Sequence, residues 1–244
     1  MKKFILTLLV IITTTISMEA DVFIKTLTRV EPINAFGQSI PAKETFSEQW
    51  ISDSFYYIKS EEGFSYLYDI KKGVIYLIAH PTRSYLEISP EVDFISLLPP
   101  ELAPMAQALK QMTISVTPSG ETAVINNIQC QGYRLEMTMM MYPIEMTIWT
   151  SEELPVNLKR FLEEVWPVIM KLDLRVAGES AAELNKIKGL WIAYESRAKI
   201  MGAEVTSRTE IVELIKKTPP KGTYALPEGY RKKDRLEMED LSGL

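Results

Sequence analysis

Methionine is concentrated in one short stretch of the chain. The segment MTMMMYPIEMTIW, residues 137–149, holds five of the twelve methionines. Thioether sulfur is a soft ligand that suits copper(I), and the Met-x-Met spacing of Met137 and Met139 would place two sulfurs on one face of a strand. Flexible methionine also suits an adaptable surface for apolar ligands, and it fills irregular gaps in protein cores. The residue types alone leave all three interpretations open.

The methionine-rich stretch is typical of a β-hairpin with one uncharged face. Alternate residues of a strand share a face, and a turn near residues 141–143 brings two apolar rows side by side. Arg134, Glu136 and Glu145 then occupy the opposite face. The uncharged face is the predicted sheet wall of a ligand site, and it consists of Tyr133, Leu135, Met137, Met139, Ile144, Met146 and Ile148.

Two segments with apolar residues at helical spacing are candidates for the opposite wall of that site. One helix is predicted over residues 100–112, after Pro99, because proline is favoured in the first turn of a helix. The other is predicted over residues 155–174, where Pro167 should kink the helix or end its first half. These helices are expected to face the hairpin through Leu109, Phe161, Val165 and Ile169.

The rest of the chain is typical of short strands. Runs rich in Tyr, Ile and Val alternate with turn sequences such as EEG, KKG and PTR, and further strands follow each helical segment. Strands and helices do not alternate regularly, so the predicted fold class is α+β: a single curved antiparallel half-barrel sheet with helices covering its concave face. Residues 21–244 show no repeat or linker, and one domain with an extended C-terminal tail is predicted.

The first twenty residues have the layout of a secretory signal peptide. Lys2 and Lys3 precede an apolar run over residues 4–16, and Ala20 ends a suitable cleavage site. The run is shorter than the roughly 20 residues that a membrane helix needs. Residues 1–20 are therefore predicted to be removed, which leaves a periplasmic or secreted chain without a transmembrane span; a retained N-terminal anchor is the alternative.

Several classes of chemistry are disfavoured by composition. The single histidine, His80, and the single cysteine, Cys130, do not provide the ligand clusters of zinc or iron sites. No GxSxG elbow or glycine-rich phosphate loop is present. The formal charge of −5 disfavours nucleic acid, which binds clustered Lys and Arg. The chain is predicted not to be an enzyme and to need no cofactor or resident metal.

Several segments of the sequence resemble those of a known group of proteins. They are DVFIKTLTRV, GQSIPAKETFSEQWIS, LIAHPTRSYLEI, SVTPSGETAVINNIQCQGYRLEMTM, GLWIAYESRAKIMGAEVTSRTEIVEL and GTYALPEGYRKKD. With them the chain resembles an uncharacterised family of secreted bacterial proteins, a domain of unknown function similar to the LolA-like and LppX-like fold. The resemblance implies an open, curved antiparallel sheet whose mouth is closed by helices. It also implies a carrier of lipid, lipoprotein or another hydrophobic molecule, and it brings no catalytic residues.

The favoured function is non-enzymatic binding or carriage of a hydrophobic ligand in the cell envelope. The ligand, a lipid, a lipoprotein acyl chain or a similar molecule, would lie between the sheet and the helices. An envelope protein is a further expected partner. Two alternatives stay open: a protein-interaction or sensor module with a filled core, and copper(I) binding through the methionine-rich hairpin.

Overall fold

The structure, a computed structural model, describes residues 21–35, 38–60, 64–139, 142–176, 178–200 and 202–241. The predicted signal peptide, residues 1–20, lies outside these ranges. Within them, most of the regular structure consists of β-strands. In chain order the strands are β1 (Asp21–Val30), β2 (Ile33–Ala35), β3 (Gln38–Ile40), β4 (Lys43–Ile51), β5 (Phe55–Ser60), β6 (Phe64–Asp69), β7 (Val74–Ala79), β8 (Ser84–Ile88), β9 (Thr113–Ile125), β10 (Ile128–Met139), β11 (Tyr142–Ser151), β12 (Leu190–Ile200), β13 (Ala203–Lys217) and β14 (Arg231–Lys233).

Twelve of the described strands form one sheet, and β2 and β3 form a separate hairpin. The order across the large sheet is β14-β8-β7-β6-β5-β4-β1-β13-β12-β11-β10-β9. Strands β4 to β8 form one meander and β9 to β13 form another, because consecutive strands in each are neighbours. β1 lies between the two meanders and pairs antiparallel with both β4 and β13. The pairing of β14 with β8 is parallel, so the sheet is mixed.

Irregular turns precede two of the described helices. The helices are α1 (Ala103–Lys110), α2 (Trp166–Asp173) and α3 (Gly178–Leu184). A 3₁₀ turn at Pro100–Leu102 precedes α1, and a π turn at Phe161–Val165 precedes α2. Proline has no N–H to donate, and its ring clashes with the carbonyl group four residues earlier, which accounts for the irregular turn before Pro167. Helical backbone continues through Pro167, so the helix does not end there, and its form changes from π to α at Trp166.

The predicted fold class, an α+β half-barrel with helices covering a concave face, is wrong. The observed sheet has twelve strands, contains a parallel pair, and is joined by few helical residues, so the protein is mostly β. The helices predicted over residues 100–112 and 155–174 are largely observed, because helical backbone covers residues 100–110 and 159–173, although each contains an irregular turn. Strands as long as the 15 residues of β13 occupy the remainder of the described chain.

The apolar residues form two packed clusters on one side of the sheet, which we call the inner face. The first cluster joins the meander β4–β8 and β1 to residues of the segment 158–172, including Phe161, Val165 and Ile169. The second joins β9 to β12 to Leu109 of α1 and Leu184 of α3. Trp166 and Met170 of α2 pack against both clusters. α2 therefore lies over the region where the two meanders meet.

Residues 218–230 cross the opposite, outer face of the sheet as a strap. The strap begins after β13 and ends at β14, seven strand spacings away, which is about 34 Å at roughly 4.8 Å per spacing. Tyr224 stacks on Phe55 with ring centroids 5.1 Å apart and donates a hydrogen bond of 2.6 Å to Asp21. The hydroxyl group of Tyr230 lies 2.9 Å from Nδ1 of His80. These contacts hold the strap against the sheet.

A buried charge network anchors the chain beyond the strap. Asp240 is 2% exposed and accepts hydrogen bonds from Thr82, from Ser84 at 3.1 Å and from the Glu237 amide at 2.8 Å. Both of its oxygens lie 3.0 Å from Nζ of Lys233, a residue of β14. Burial alone would raise the pKa of Asp240, but these hydrogen bonds outweigh it and lower the pKa below 3.8. Stability from this network is present above pH 4 and is lost as the pH falls further.

We expect Asp240→Asn to lower the free energy of unfolding by about 3 kcal/mol, because it removes the buried counter-charge of Lys233 and leaves only the exposed Glu237 to pair with it. Glu237→Gln is the matched control. Glu237 also pairs with Lys233, but its side chain is 57% exposed, so its removal should cause only a small fraction of that loss. Urea denaturation followed by circular dichroism measures both variants, and equal losses would contradict the assigned role of Asp240.

Candidate functional site

Hydroxyl side chains interrupt the apolar inner face at the middle of the sheet. Strand register places Thr26 opposite Ser47 and Thr28 opposite Thr209. Each pair is joined by a side-chain hydrogen bond, with 2.9 Å between the Oγ1 atoms of Thr28 and Thr209. Since β4, β1 and β13 are adjacent, these four residues form one continuous group, which we call the polar row.

Two tyrosines and a glutamine extend the polar row. The hydroxyl group of Tyr56 donates to Oε1 of Gln49 at 3.1 Å, and Tyr194 of β12 lies opposite Thr209 in register. Burial, as the largest cause, raises the pKa of both tyrosines above 10. Both hydroxyl groups therefore keep their protons at neutral pH and remain hydrogen-bond donors.

Asp173, the last residue of α2, lines the same cavity as the polar row. Its side chain is exposed to the cavity, although the carboxyl group lies deep among protein atoms. Among the residues that the structure describes, none forms a hydrogen bond or an ion pair with this carboxyl group.

The surroundings of Asp173 disfavour its charged form. Burial raises the pKa of Asp173 to about 7, and the attraction of Arg175 opposes the rise only in part. The guanidinium group of Arg175 lies over the ring of Phe94, 5.5 Å from its centroid. The C-terminal end of a helix carries partial negative charge, which is also unfavourable for an anion. Asp173 is therefore divided between its neutral and charged forms near neutral pH.

The cavity between α2 and the sheet has a volume of about 160 Å³. An apolar cavity of about 150 Å³ can hold a benzene molecule. The space therefore suits a small ring or the first few carbons of a chain. One side of it carries Asp173 and the polar row, and the apolar side chains around it are Ile24, Ile58, Met146, Trp166, Met170, Leu174, Leu190, Trp191, Ile192 and Ile211.

A wider groove of about 910 Å³ adjoins the cavity. It is lined by residues 152–159, by α2 and by the segment 184–189. Trp166, Met170 and Trp191 line both the groove and the cavity, and we call them the boundary residues. The ring centroids of the two tryptophans are 6.3 Å apart in a T-shaped arrangement. Ligand pockets commonly occupy roughly 300–1,000 Å³, so the groove can hold the part of a ligand that the cavity cannot.

The predicted site residues fall into the two clusters and are not brought together in one site. Leu109 packs with the hairpin face, whereas Phe161, Val165 and Ile169 belong to the first cluster. Met139 is the last residue of β10, and the turn residues 140–141 lie outside the described part of the chain. The hairpin residues in the second cluster are Tyr133, Leu135, Met137, Met146 and Ile148, with Ile144 at its margin.

Of the predicted residues that the structure describes, Met146 lines the cavity. Hydrophobic periodicity does not identify the polar row or Asp173, although β1 contains a signal for the polar row. Thr26 and Thr28 continue the period-two spacing of Val22 and Ile24, so hydroxyls replace apolar residues on the same strand face. Such a change of character along one strand face indicates a polar feature inside the fold.

Two other findings concern ions and membranes. Among the residues that the structure describes, no group of three or more His, Cys, Asp or Glu side chains could hold a metal ion. In the same part of the chain, no helix combines the length and the apolar character that crossing a bilayer requires.

Comparison with solved structures shows distant similarity only. No family model and no curated protein matches the chain. Among solved structures it is similar to PNGF-II, described as "Structure of PNGF-II in C2 space group", with a TM-score of 0.41 and 11% identity. The alignment covers 88% of this chain and 31% of that one, so this chain spans about a third of its neighbour's length. A likeness at this level supports no conclusion about function.

The position of Asp173 predicts an unusual pH dependence of stability. Its folded-state pKa of about 7 exceeds the ordinary value of 3.8, so between these values the folded chain holds a proton that the unfolded chain releases. The free energy of unfolding should therefore fall as the pH rises from about 4 to 7. Asp173→Asn removes this contribution, so the variant should exceed the wild type in stability at pH 8 and match it near pH 4.

Urea denaturation at several pH values tests this expectation. Asp53→Asn, at an exposed position, is the control and should follow the wild-type profile. A constant difference between Asp173→Asn and the wild type across the pH range would contradict the assigned environment.

Proposed function

We propose that this protein binds a molecule with an apolar body in the cavity and the adjoining groove, without converting it chemically. The observation that carries the proposal is the space of about 160 Å³ between two otherwise well-packed clusters, with boundary residues shared with the groove. The cell envelope is the proposed location, supported by the signal-peptide layout of residues 1–20.

The apolar lining provides enough free energy for useful affinity. Each buried methylene group contributes about 0.8 kcal/mol, so a chain of ten carbons gains roughly 8 kcal/mol before the costs of association. A gain of that size corresponds to a dissociation constant near 1 μM, and the costs of association raise this value. The protein therefore acts as an exchangeable carrier or sensor of its ligand.

The boundary residues provide a direct test with a brominated ligand. Bromine quenches tryptophan fluorescence on contact, and two of the four tryptophans, Trp166 and Trp191, line the cavity and groove. Titration with ω-bromodecanol should quench up to about half of the wild-type emission, given that two of the four emitters are at the site. The Trp166→Phe/Trp191→Phe double variant should lose this quenching.

Trp50 supplies the matched control for this titration. Val22 and Ile24 of β1 point to the inner face, so Phe23 between them points to the outer face. Trp50 packs on Phe23 and therefore also lies on the outer face. Trp50→Phe should retain the absolute quenching of the wild type. Native mass spectrometry of the double variant with decanol shows whether that variant still binds one molecule. Absence of quenching in the wild type, or equal quenching in both variants, would reject the proposed site.

The packed second cluster favours one other candidate function. Leu135 and Ile148 are fully buried, and Met137 and Met146 are nearly so, which is typical of a filled core. A protein-interaction or sensor module would need no ligand in the cavity. Failure of any apolar probe to bind, by fluorescence and by mass spectrometry, would favour this candidate.

A further inference from the structure

The cavity contains a negative group that the protein itself leaves without a partner. The carboxyl group of Asp173 faces this space, and no residue in the described ranges forms a hydrogen bond or an ion pair with it. The neighbouring polar groups are already paired with each other: Thr26 with Ser47, Thr28 with Thr209, and Tyr56 with Gln49. A carboxylate that faces a largely apolar cavity without a counter-charge would be stabilised by a bound cation.

Aromatic side chains line the same cavity as Asp173. They are Trp166, Trp191 and Tyr194, and Trp191 makes T-shaped contacts with Trp166 at 6.3 Å and with Tyr194 at 5.6 Å. The faces of aromatic rings carry partial negative charge and attract cations. The aromatic lining therefore favours the same sign of ligand charge as Asp173.

We propose that the ligand of this cavity is a cationic amphiphile whose amine pairs with Asp173 while its apolar chain passes the boundary residues into the groove. This inference rests on the proposed function and names the ligand class of the same site. The oxygens of the polar row and of Gln49 already take part in one hydrogen bond each, but their remaining lone pairs can accept hydrogen bonds from the N–H groups of a primary ammonium. An anionic head group would instead meet the charge of Asp173 inside a confined space.

The charged state of Asp173 couples this binding to pH. The titratable or charged groups that face Asp173 are Tyr56 of β5, Tyr66 of β6 and Tyr194 of β12, together with Arg175 of its own segment. Burial keeps the three tyrosines protonated far above neutral pH. Asp173 is therefore the group of this set that changes charge between pH 5 and 8.

Calorimetric titration with three ten-carbon probes tests the inference. At pH 8, decylammonium should bind about ten- to hundredfold more tightly than decanol, as expected for a charge-assisted pair, and decanoate should bind least tightly. The ratio of ammonium to alcohol affinity should fall by up to about tenfold per pH unit below pH 7, because Asp173 becomes neutral. In Asp173→Asn this ratio should approach one at every pH, whereas Asp53→Asn should keep the wild-type ratio.

The outcomes separate this inference from the proposed function. If decanol and decylammonium bind equally in the wild type at pH 8, or if decanoate binds most tightly, the cationic ligand is rejected and the apolar site stands. If none of the three probes binds, both proposals fail. Should Asp173→Asn not fold, the pH dependence of the affinity ratio in the wild type still decides between these results.

Discussion

The architecture depends on the two ladders that β1 makes, with β4 on one side and β13 on the other. Among the described strands, no other pairing joins the meander β4–β8 to the meander β9–β13. The two inner-face clusters belong largely to different meanders, so β1 determines how far apart they lie. The cavity occupies the place where they meet, and α2 spans it with Trp166 and Met170 on both clusters. The cavity is thus formed by both meanders together with β1 and α2, and neither meander forms it alone.

The polar groups at this joint differ in how the fold accommodates them. The hydroxyls of the polar row bond to each other across neighbouring strands, which satisfies the requirement that buried polar groups find partners. Asp173 has no such partner and sits at the negative end of a helix, where local energetics oppose a carboxylate. Groups that a fold holds in an unfavourable environment are concentrated at functional sites. This contrast separates Asp173 from the structural hydroxyls beside it.

Local patterns predict some parts of this structure well. The strands β5 to β8 follow from short apolar runs and turn residues, and burial of Phe161, Val165 and Ile169 follows from their helical spacing. The fold class does not follow, because local periodicity cannot show which strands pair, and β1 pairs with β13 from the far end of the chain. The predicted site centred on a hairpin of adjacent residues, whereas the cavity combines Thr26, Ser47, Asp173 and Thr209 from distant parts of the chain.

The central position of β1 also has a kinetic consequence. Thr28 and Thr209 bond across β1 and β13 although 181 residues separate them in the chain. Each meander can form from contacts between consecutive strands. The ladder between β1 and β13 instead requires closure of a loop of almost the whole chain, and the chain loses conformational entropy before the contacts of the ladder stabilise it. The high contact order of this ladder therefore leads us to expect that it forms slowly. The cavity walls come together at the same ladder, so we expect the proposed binding site to be the last part of the core to form.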